Sequence, residues 1–108
     1  MSNELLVLVT APGEDEARRI ATVLVEGRLA ACVNIIGAVE SVYRWEGKVT
    51  MDREALLIVK TTAARYEQVE QRVKELHSYS TPEVIAIRIE RGSEQYLSWL
   101  QGSVNQPD

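Results

Sequence analysis

A short apolar run near the N-terminus constrains the fold of this chain more than any other feature. Residues 5–9 have the sequence LLVLV and are followed by Thr10. A run of this length without polar alternation predicts a strand that is covered on both faces. Residues 48–59 contain a second apolar strand pattern, so two strands of the same sheet need cover on both sides.

The first half of the chain predicts one helix and a long ribbon. A Pro-Gly break and three acidic residues precede apolar positions at helical spacing, which predicts a helix over residues 14–26 that Gly27 ends. Residues 30–45 and 48–59 predict two long strands joined by a short turn. Gly37 inside the first of these strands predicts a bulge or bend.

The second half predicts a helix, a strand and a short terminal helix. Residues 61–62 are both threonine and offer an N-cap to the helix that follows. A loop over residues 78–82 precedes a strand over residues 84–89. Ser93 is expected to cap the terminal helix, which is expected to stop near Gly102.

This order of elements, β-α-β-β-α-β plus a short helix, is the ferredoxin-like α+β order, an antiparallel sheet with two helices on one face. We expect one domain over residues 1–104 and a flexible tail over residues 105–108. No second layer is expected over the other sheet face. Its apolar residues therefore predict contact with further copies of the chain, and we expect a homo-oligomer.

Composition argues against several classes of function. The net charge is −4 with no basic run, which argues against nucleic-acid binding. No apolar run reaches the roughly 18 residues of a membrane span, so no membrane insertion is expected. The N-terminus lacks the basic region of a secretory signal, and the single cysteine, Cys32, fits a reducing compartment. A cytoplasmic location is therefore expected.

Catalytic patterns are weak in this sequence. His77 is the one histidine, and no serine lies in a nucleophile-elbow motif, which argues against a hydrolytic triad. The turn with the sequence TAPGEDE has three acids that would repel phosphate. We therefore expect a protein that is not an enzyme and requires no cofactor.

His77 and Cys32 are the candidate ligands for a soft or borderline metal ion such as copper. Neither belongs to a pair with the spacing of a zinc site. Two structural interpretations compete with the metal site. Cys32 is interpreted as a small buried residue whose side chain points into the core, and His77 as a helix C-terminal residue near exposed carbonyls.

A set of polar and aromatic residues predicts a small pocket or a subunit interface, and the two interpretations are compatible. Lys60 directly follows an apolar strand, and Glu83 follows a proline at the start of another. A buried pair between them would make a polar pocket. The candidate cleft residues are Trp45, Lys60, Tyr79, Glu83, Tyr96 and Trp99, with Tyr43 on the same ribbon face as Trp45.

Several stretches resemble the CutA family, the divalent-cation tolerance proteins. The matching segments are TAPGEDEA, LVEGRLAACVNII, SVYRWEGKV, LLIVKTT, LHSYSTPEVIAI and YLSWL, which cover nearly the whole chain in order. The resemblance implies a homotrimer of ferredoxin-like subunits, similar in architecture to PII signalling proteins. It also implies tolerance to divalent metals, copper especially, and an intersubunit cleft at the residues named above.

The chain departs from the family pattern at three places. Family members often have HPYE or HPYQ where residues 77–80 have the sequence HSYS, and the loss of the proline is expected to loosen this loop. Some members have a cysteine where this chain has Val9, and a second histidine where it has Leu76. Metal ligation by those groups does not transfer, and His77 and Cys32 remain.

Three functional hypotheses follow. The leading one is a non-catalytic trimeric module that binds divalent ions, with copper held weakly at His77 and Cys32 as a bystander. We expect His77 to be the more accessible of the two. The alternative is a PII-like sensor that holds a small ligand or a protein partner in the intersubunit cleft. An enzyme built on Lys60 and Glu83 is the least favoured hypothesis.

Overall fold

A computed structural model of the protein describes residues 3–105. The order of strands and helices that the sequence predicts is confirmed. In chain order the elements are β1 (Glu4–Ala11), α1 (Glu14–Glu26), β2 (Cys32–Trp45), β3 (Lys48–Thr62), a 3₁₀ turn (Ala63–Arg65), α2 (Tyr66–Leu76), β4 (Val84–Arg88) and α3 (Glu94–Asn105).

The four strands form one sheet in the order β2-β3-β1-β4, and every neighbouring pair is antiparallel. β1, the first strand of the chain, therefore lies between β3 and β4. This strand order and the two crossover helices are those of a ferredoxin-like α+β fold, as the sequence predicts.

The hydrophobic core lies on one face of this sheet, against α1 and α2. Alternate residues of β1 point to this face, as the period of two along a strand requires. They pack with apolar residues of β3 and of both helices. The fully buried members include Val7, Val9, Ile20, Leu24, Leu57, Val59, Val69 and Val73.

The second face of the sheet is covered in part by α3, which corrects the expectation that this chain supplies no second layer. The side chain of Gln101 in α3 is hydrogen-bonded to Glu4 on this face. Leu100 and Val104 of α3 are fully buried but are not part of the main core. Beyond α3, apolar side chains of the second face stay open: Ile36, Ile85 and Ile87 are 44%, 52% and 51% exposed.

The ribbon formed by β2 and β3 extends past the helices and ends in a two-residue turn. Its register slips between Ile36 and Val39, so the predicted bulge beside Gly37 is confirmed. At the tip, Glu46 and Gly47 have φ angles of 51° and 79°. Two consecutive positive φ angles match a type I′ turn, which suits the right-handed twist of the flanking strands.

The predicted N-cap of the second helix is wrong. Thr61 and Thr62 belong to β3, where they pair with β1, and the Thr61 hydroxyl donates to the Leu29 carbonyl at 2.6 Å. Neither threonine caps α2, which follows the 3₁₀ turn and whose N-cap residue, Arg65, makes no side-chain capping bond. The strand continues because pairing with β1 satisfies these backbone groups.

The terminal helix begins as predicted and ends later than predicted. The Ser93 hydroxyl accepts a hydrogen bond from the Tyr96 N–H at 3.3 Å. α3 then continues through Gly102 to Asn105. Residues 106–108 of the predicted tail lie outside the described residues. Within residues 3–105, none of the helices combines the length and the apolar composition needed to cross a membrane.

Two glycine substitutions are expected to act in opposite directions on stability. Gly47→Ala should lower the free energy of unfolding by about 1 kcal/mol, because its φ of 79° is unfavourable for a residue with a Cβ. Gly102→Ala should raise it by about 0.5–1 kcal/mol, because a Cβ there meets no atom within 4 Å and alanine favours helix. Chemical denaturation of both variants tests this. Equal effects of the same sign would contradict the assigned backbone conformations.

Candidate functional site

A groove of about 690 Å³ lies between the ribbon and the loop that joins α2 to β4. This volume is within the usual range of small-molecule sites. Among the described residues, no lysine, arginine or histidine lines it. The lining residues include three aromatic side chains and three carboxylates, with smaller polar groups between them: Tyr43, Trp45, Tyr79, Asp52, Glu54, Glu83, Thr10, Ser41, Ser80 and Thr81.

The bulge in β2 decides which ribbon side chains face this groove. Before the bulge, Ile36 is opposite Leu56, and after it Val39 is opposite Glu54. The extra residue reverses the alternation of β2, because successive side chains point to opposite faces. Tyr43 and Trp45 consequently share the second face with Glu54, and the Tyr43 hydroxyl donates a hydrogen bond to the Asp52 carboxylate.

His77 anchors the loop on the opposite wall of the groove. Its Nδ1 accepts a hydrogen bond from the Tyr79 N–H at 3.0 Å, so its Nε2 carries the proton and donates to the Thr10 carbonyl at 2.7 Å. The side chain is 0% exposed. The expectation that His77 is the more accessible candidate ligand is therefore wrong, since both ring nitrogens have partners inside the fold.

Glu16 of α1 holds the same loop from the helix side. Its Oε2 accepts hydrogen bonds from the Ser78 N–H at 2.9 Å and the Ser78 hydroxyl at 3.0 Å, and it lies 3.4 Å from His77 Nδ1. Burial acts to raise the pKa of the Glu16 carboxyl, but the bonds from Ser78 and the nearby His77 and Arg19 outweigh it and lower the pKa. Ser78 thus ties the loop to α1.

Tyr79 joins this loop to the ribbon. Its hydroxyl donates to Glu54 Oε2 at 3.0 Å, and its ring centroid is 4.8 Å from that of His77. Burial, together with the hydrogen bond to Glu54 and the negative charge nearby, raises the pKa of Tyr79 to about 12. Tyr79 is therefore a neutral hydrogen-bond donor at physiological pH.

Lys60 lies in a separate cluster on the second face, beside α3. Its Nζ is 5.7 Å from the centre of the Tyr96 ring, and the Tyr96 and Trp99 ring centroids are 5.4 Å apart. We call Lys60, Tyr96 and Trp99 the Lys60 cluster. A cation above an aromatic face is attracted by the ring quadrupole, which favours this arrangement.

The predicted cleft residues therefore fall into two sets within one chain. Trp45, Tyr79 and Glu83 line the groove, whereas the other three form the Lys60 cluster. Lys60 is opposite Leu6 of β1, and Glu83 precedes Val84, which is opposite Val9. Along β1 these positions are three to four residues apart, about 10–13 Å, and the two strand spacings from β3 across β1 to β4 add to this distance. The hypothetical Lys60–Glu83 pair is not formed within this chain.

Cys32 does not point into the core, so that prediction is wrong. It is directly opposite Lys60 in the ladder and shares the second face with it, and its Sγ is 3.8 Å from Asn34 Oδ1. It is half-buried there. His77 and Cys32 do not meet within the chain. Among residues 3–105, no group of three or more histidine, cysteine, aspartate or glutamate side chains is arranged to hold a metal ion.

Three residues of this site were not predicted from the sequence: Asp52, Glu54 and Glu16. Counting back across the turn at Glu46 and Gly47 would have placed Asp52 opposite Ser41, on the face of Tyr43. That signal was present in the alternation of the ribbon. Glu16 had no such signal, because its partners on the loop are 62 positions later in the chain.

The comparisons with known proteins decide the family. The family model of the CutA1 divalent ion tolerance protein matches residues 5–103.

The chain belongs to this family, as its sequence motifs predict.

Among CutA relatives, the divalent-cation tolerance protein CutA of Thermus thermophilus is 51% identical over 98 residues, which cover 91% of this chain and 95% of the relative. The chloroplastic protein CutA of Arabidopsis thaliana is 46% identical over 99 residues, 92% of this chain. The chain spans 54% of the length of that plant protein.

Solved CutA structures have the same fold. The Cut A1 divalent cation tolerance protein of Thermus thermophilus aligns with a TM-score of 0.92 at 49% identity, over 94% of this chain and 99% of that one. The periplasmic divalent cation tolerance protein CutA of Archaeoglobus fulgidus aligns with a TM-score of 0.92 at 43% identity, over 94% of this chain and 99% of that one.

These relatives correct the expected location. One is described as chloroplastic and another as periplasmic. The expectation of a cytoplasmic protein is therefore wrong as an inference from this sequence. The single cysteine and the N-terminal pattern do not determine the compartment, because related chains of this fold are described as chloroplastic and periplasmic.

Glu16→Gln is expected to weaken the attachment of the loop and to change the pH dependence of stability. The stabilisation from a lowered pKa is fully present above the unfolded value of 4.5 and is lost as pH falls through the lower folded value. At pH 7 the variant should lose about 1–3 kcal/mol of unfolding free energy. Denaturant unfolding between about pH 3 and pH 7 measures both the loss of stability and its pH dependence, because carboxyl groups titrate within this range.

The matched control for this experiment is Glu90→Gln, which removes the same charge from an exposed position outside the loop. If both variants lose the same stability at every pH, Glu16 does not hold the loop in the way described.

Tyr79→Phe should remove the phenol whose pKa is raised to about 12. In the native protein, the raised pKa stabilises the fold below pH 10, and this contribution is lost as pH rises through about 12. Phenolate absorbance during an alkaline titration should lose its last step in the variant. Tyr96→Phe, in the Lys60 cluster, is the control and should keep that step. A last step that survives in Tyr79→Phe would contradict the Glu54 hydrogen bond.

Proposed function

We propose that this protein binds divalent cations, among them copper, as a non-catalytic module that contributes to divalent-cation tolerance. The match of the family model over residues 5–103 is the observation that carries the proposal. This family is named for divalent ion tolerance and not for a reaction. The relative from Thermus thermophilus is likewise named for divalent-cation tolerance.

We place the metal at His77, with Glu16 as its carboxylate partner. His77 Nδ1 lies 3.4 Å from Oε2 of Glu16 in α1, so an imidazole nitrogen and a carboxylate are close together there. Cu(II) is the divalent ion that nitrogen and oxygen donors favour most. Binding would require Nδ1 to give up the Tyr79 N–H, and water would complete the coordination, so we expect weak affinity.

Cys32 is the competing candidate ligand. Its thiol shares a row of the second face with Lys60, and no carboxylate is directly opposite it in the ladder. A soft thiolate ligand favours Cu(I) and zinc, whereas the nitrogen and oxygen ligands proposed at His77 favour Cu(II). This difference supports Cys32 as a bystander for Cu(II).

Calorimetric titration of untagged protein with Cu(II), Zn(II) and Mg(II) tests the metal proposal. Copper should bind most tightly, and His77→Ala should weaken it by about tenfold or more, while Cys32→Ala should leave it unchanged. Glu16→Gln provides a milder change at the same site, and circular dichroism checks the fold of each variant. Copper that binds no tighter than millimolar contradicts the proposal. Loss of affinity in Cys32→Ala alone would assign the site to the thiol.

We propose that the working form is a homotrimer in which sheets meet through their second faces. The support is the row of open apolar side chains on that face, Ile36, Ile85 and Ile87, together with the resemblance of the sequence to a trimeric family. An apolar surface of this kind on a soluble chain is typical of a contact between subunits. In such an assembly the Lys60 cluster of one subunit and the groove of the next would together form the intersubunit cleft.

Sedimentation of the wild-type protein at micromolar concentration should give three times the chain mass of 12.1 kDa. Ile85→Lys should dissociate the assembly, because it places a charge in the apolar contact. Glu90→Lys, on the exposed loop that follows β4, changes the charge without touching this face and is the control. A wild-type protein that sediments as a stable monomer would rule the proposal out.

A second candidate function is a PII-like sensor that binds a small ligand or a protein partner. The groove itself favours it, because its volume of about 690 Å³ and its mixture of aromatic and polar groups are typical of ligand sites. This function is compatible with metal binding at His77, because His77 lies behind the loop wall and not among the groove lining.

A further inference from the structure

Two neighbouring residues of the loop after α2 occupy the ligand atoms of the proposed metal site. Nδ1 of His77 accepts the Tyr79 N–H at 3.0 Å. Oε2 of Glu16 accepts the N–H and the hydroxyl of Ser78, at 2.9 Å and 3.0 Å. Each oxygen of a carboxylate has about two lone-pair sites, so these two bonds fill those of Oε2. Neither ligand atom is therefore open to an ion while the loop is in place.

Burial adds to this obstruction. The side chains of His77 and Glu16 are 0% and 15% exposed. All of these contacts lie within one chain, so further copies in an assembly leave them in place and can only bury the two residues more. An ion in solution therefore reaches Nδ1 of His77 only after residues 78–79 have moved away.

The ring of His77 is otherwise arranged as a metal ligand. Its Nε2 donates to the Thr10 carbonyl at 2.7 Å. Metal-binding histidines usually donate their second ring N–H to a carbonyl or a carboxylate in this way, which fixes the tautomer and the orientation of the ring. The lone pair of Nδ1 is then directed at the Tyr79 N–H. The imidazole thus needs no rotation to accept an ion, and only the loop has to move.

The side chain of Tyr79 resists that movement. Its hydroxyl donates to Oε2 of Glu54 in β3 at 3.0 Å, and its ring centroid is 4.8 Å from that of His77. A shift of the Tyr79 backbone away from His77 also moves this side chain and strains the bond to Glu54. The loop is thus held by one bond to the ligand imidazole, two bonds to the ligand carboxylate and one bond to the ribbon.

We propose that these four hydrogen bonds of Ser78 and Tyr79 form a latch that withholds His77 and Glu16 from divalent cations until the loop opens. The proposal rests on the metal binding proposed above, and it names what regulates that site. An ion that binds only the open form has its affinity reduced by the fraction of molecules that are open. A change that weakens the latch therefore tightens metal binding, although the same change lowers stability.

The latch has a reciprocal effect on the loop. Because opening favours binding, a bound ion favours opening to the same extent. The amide hydrogens of Ser78 and Tyr79 lose their acceptors in the open form, so they should exchange with solvent faster when metal is bound. An ion that bound to the closed loop would have the opposite effect, because it would hold the loop in place.

Calorimetric titration of the assembled, untagged protein with Cu(II) tests the latch. Tyr79→Phe removes the bond to Glu54, and Ser78→Ala removes one of the bonds to Glu16. Each variant should bind copper about two- to tenfold more tightly than the wild type, the usual effect of one hydrogen bond. Denaturant unfolding should show that both variants are less stable. Residues with a structural role alone would lower stability without tightening copper binding.

Two matched controls accompany these variants. Tyr96→Phe removes a tyrosine hydroxyl outside the loop, and Ser80→Ala removes a hydroxyl of the same loop that is bonded to neither His77 nor Glu16. Both should change copper affinity by less than about twofold. If Ser80→Ala tightens binding as much as Ser78→Ala does, general loosening of the loop sets the affinity and the latch is wrong.

Hydrogen exchange of the wild-type protein, with and without Cu(II), needs no variant. Exchange at residues 78–79 should become faster with copper, whereas exchange in β1 should stay the same. Slower exchange of these two residues in the presence of copper would overturn the latch.

The outcomes separate the latch from the metal proposal. Copper binding that His77→Ala abolishes and that both latch variants leave unchanged would overturn the latch alone. Copper binding by Tyr79→Phe and not by the wild type would support the latch and contradict metal binding as the function of the native protein. If copper binds to none of these forms, both proposals fail.

Discussion

The register between β2 and β3 determines where the functional side chains of this protein lie. One extra residue in β2, beside Gly37, reverses the alternation of the outer half of that strand. Tyr43 and Trp45 therefore face the same side as Asp52 and Glu54, and the groove forms there. Without the bulge these aromatic side chains would point to the opposite face, and the carboxylates would have no aromatic neighbours on β2.

The loop after α2 depends on contacts that are distant in sequence. His77 is bonded to Thr10 of β1 and Ser78 to Glu16 of α1, and Tyr79 reaches Glu54 of β3. These bonds hold one wall of the groove to three different elements. They also restrain the backbone of the loop at Ser78. Both the side-chain hydroxyl and the backbone N–H of Ser78 supply this restraint, because both donate to Glu16.

Much of this fold was predictable because its signals are local. The alternation of the ribbon, the bulge at Gly37 and the cap at Ser93 each depend on a few neighbouring residues.

The errors came from tertiary context. Pairing with β1 kept Thr62 in a strand, and packing against the second face carried α3 past Gly102. Cys32 was assigned to the wrong face because the alternation of β2 before its bulge cannot be read without its partner strand, in which Cys32 is opposite Lys60. The site residues Asp52 and Glu54 were within reach of the sequence, whereas Glu16 was not.

The position of β1 in the sheet has a consequence for how the chain folds during synthesis. β1 is made first, yet its two neighbours in the sheet are β3 and β4, and β4 ends at Arg88. The ribbon, by contrast, closes through a two-residue turn and joins residues close in sequence, so it can form on the ribosome before β4 has emerged. The apolar segment of β1 therefore waits for later strands with its edges unpaired. In that interval α1, which immediately follows β1, covers the face of β1 that becomes the core.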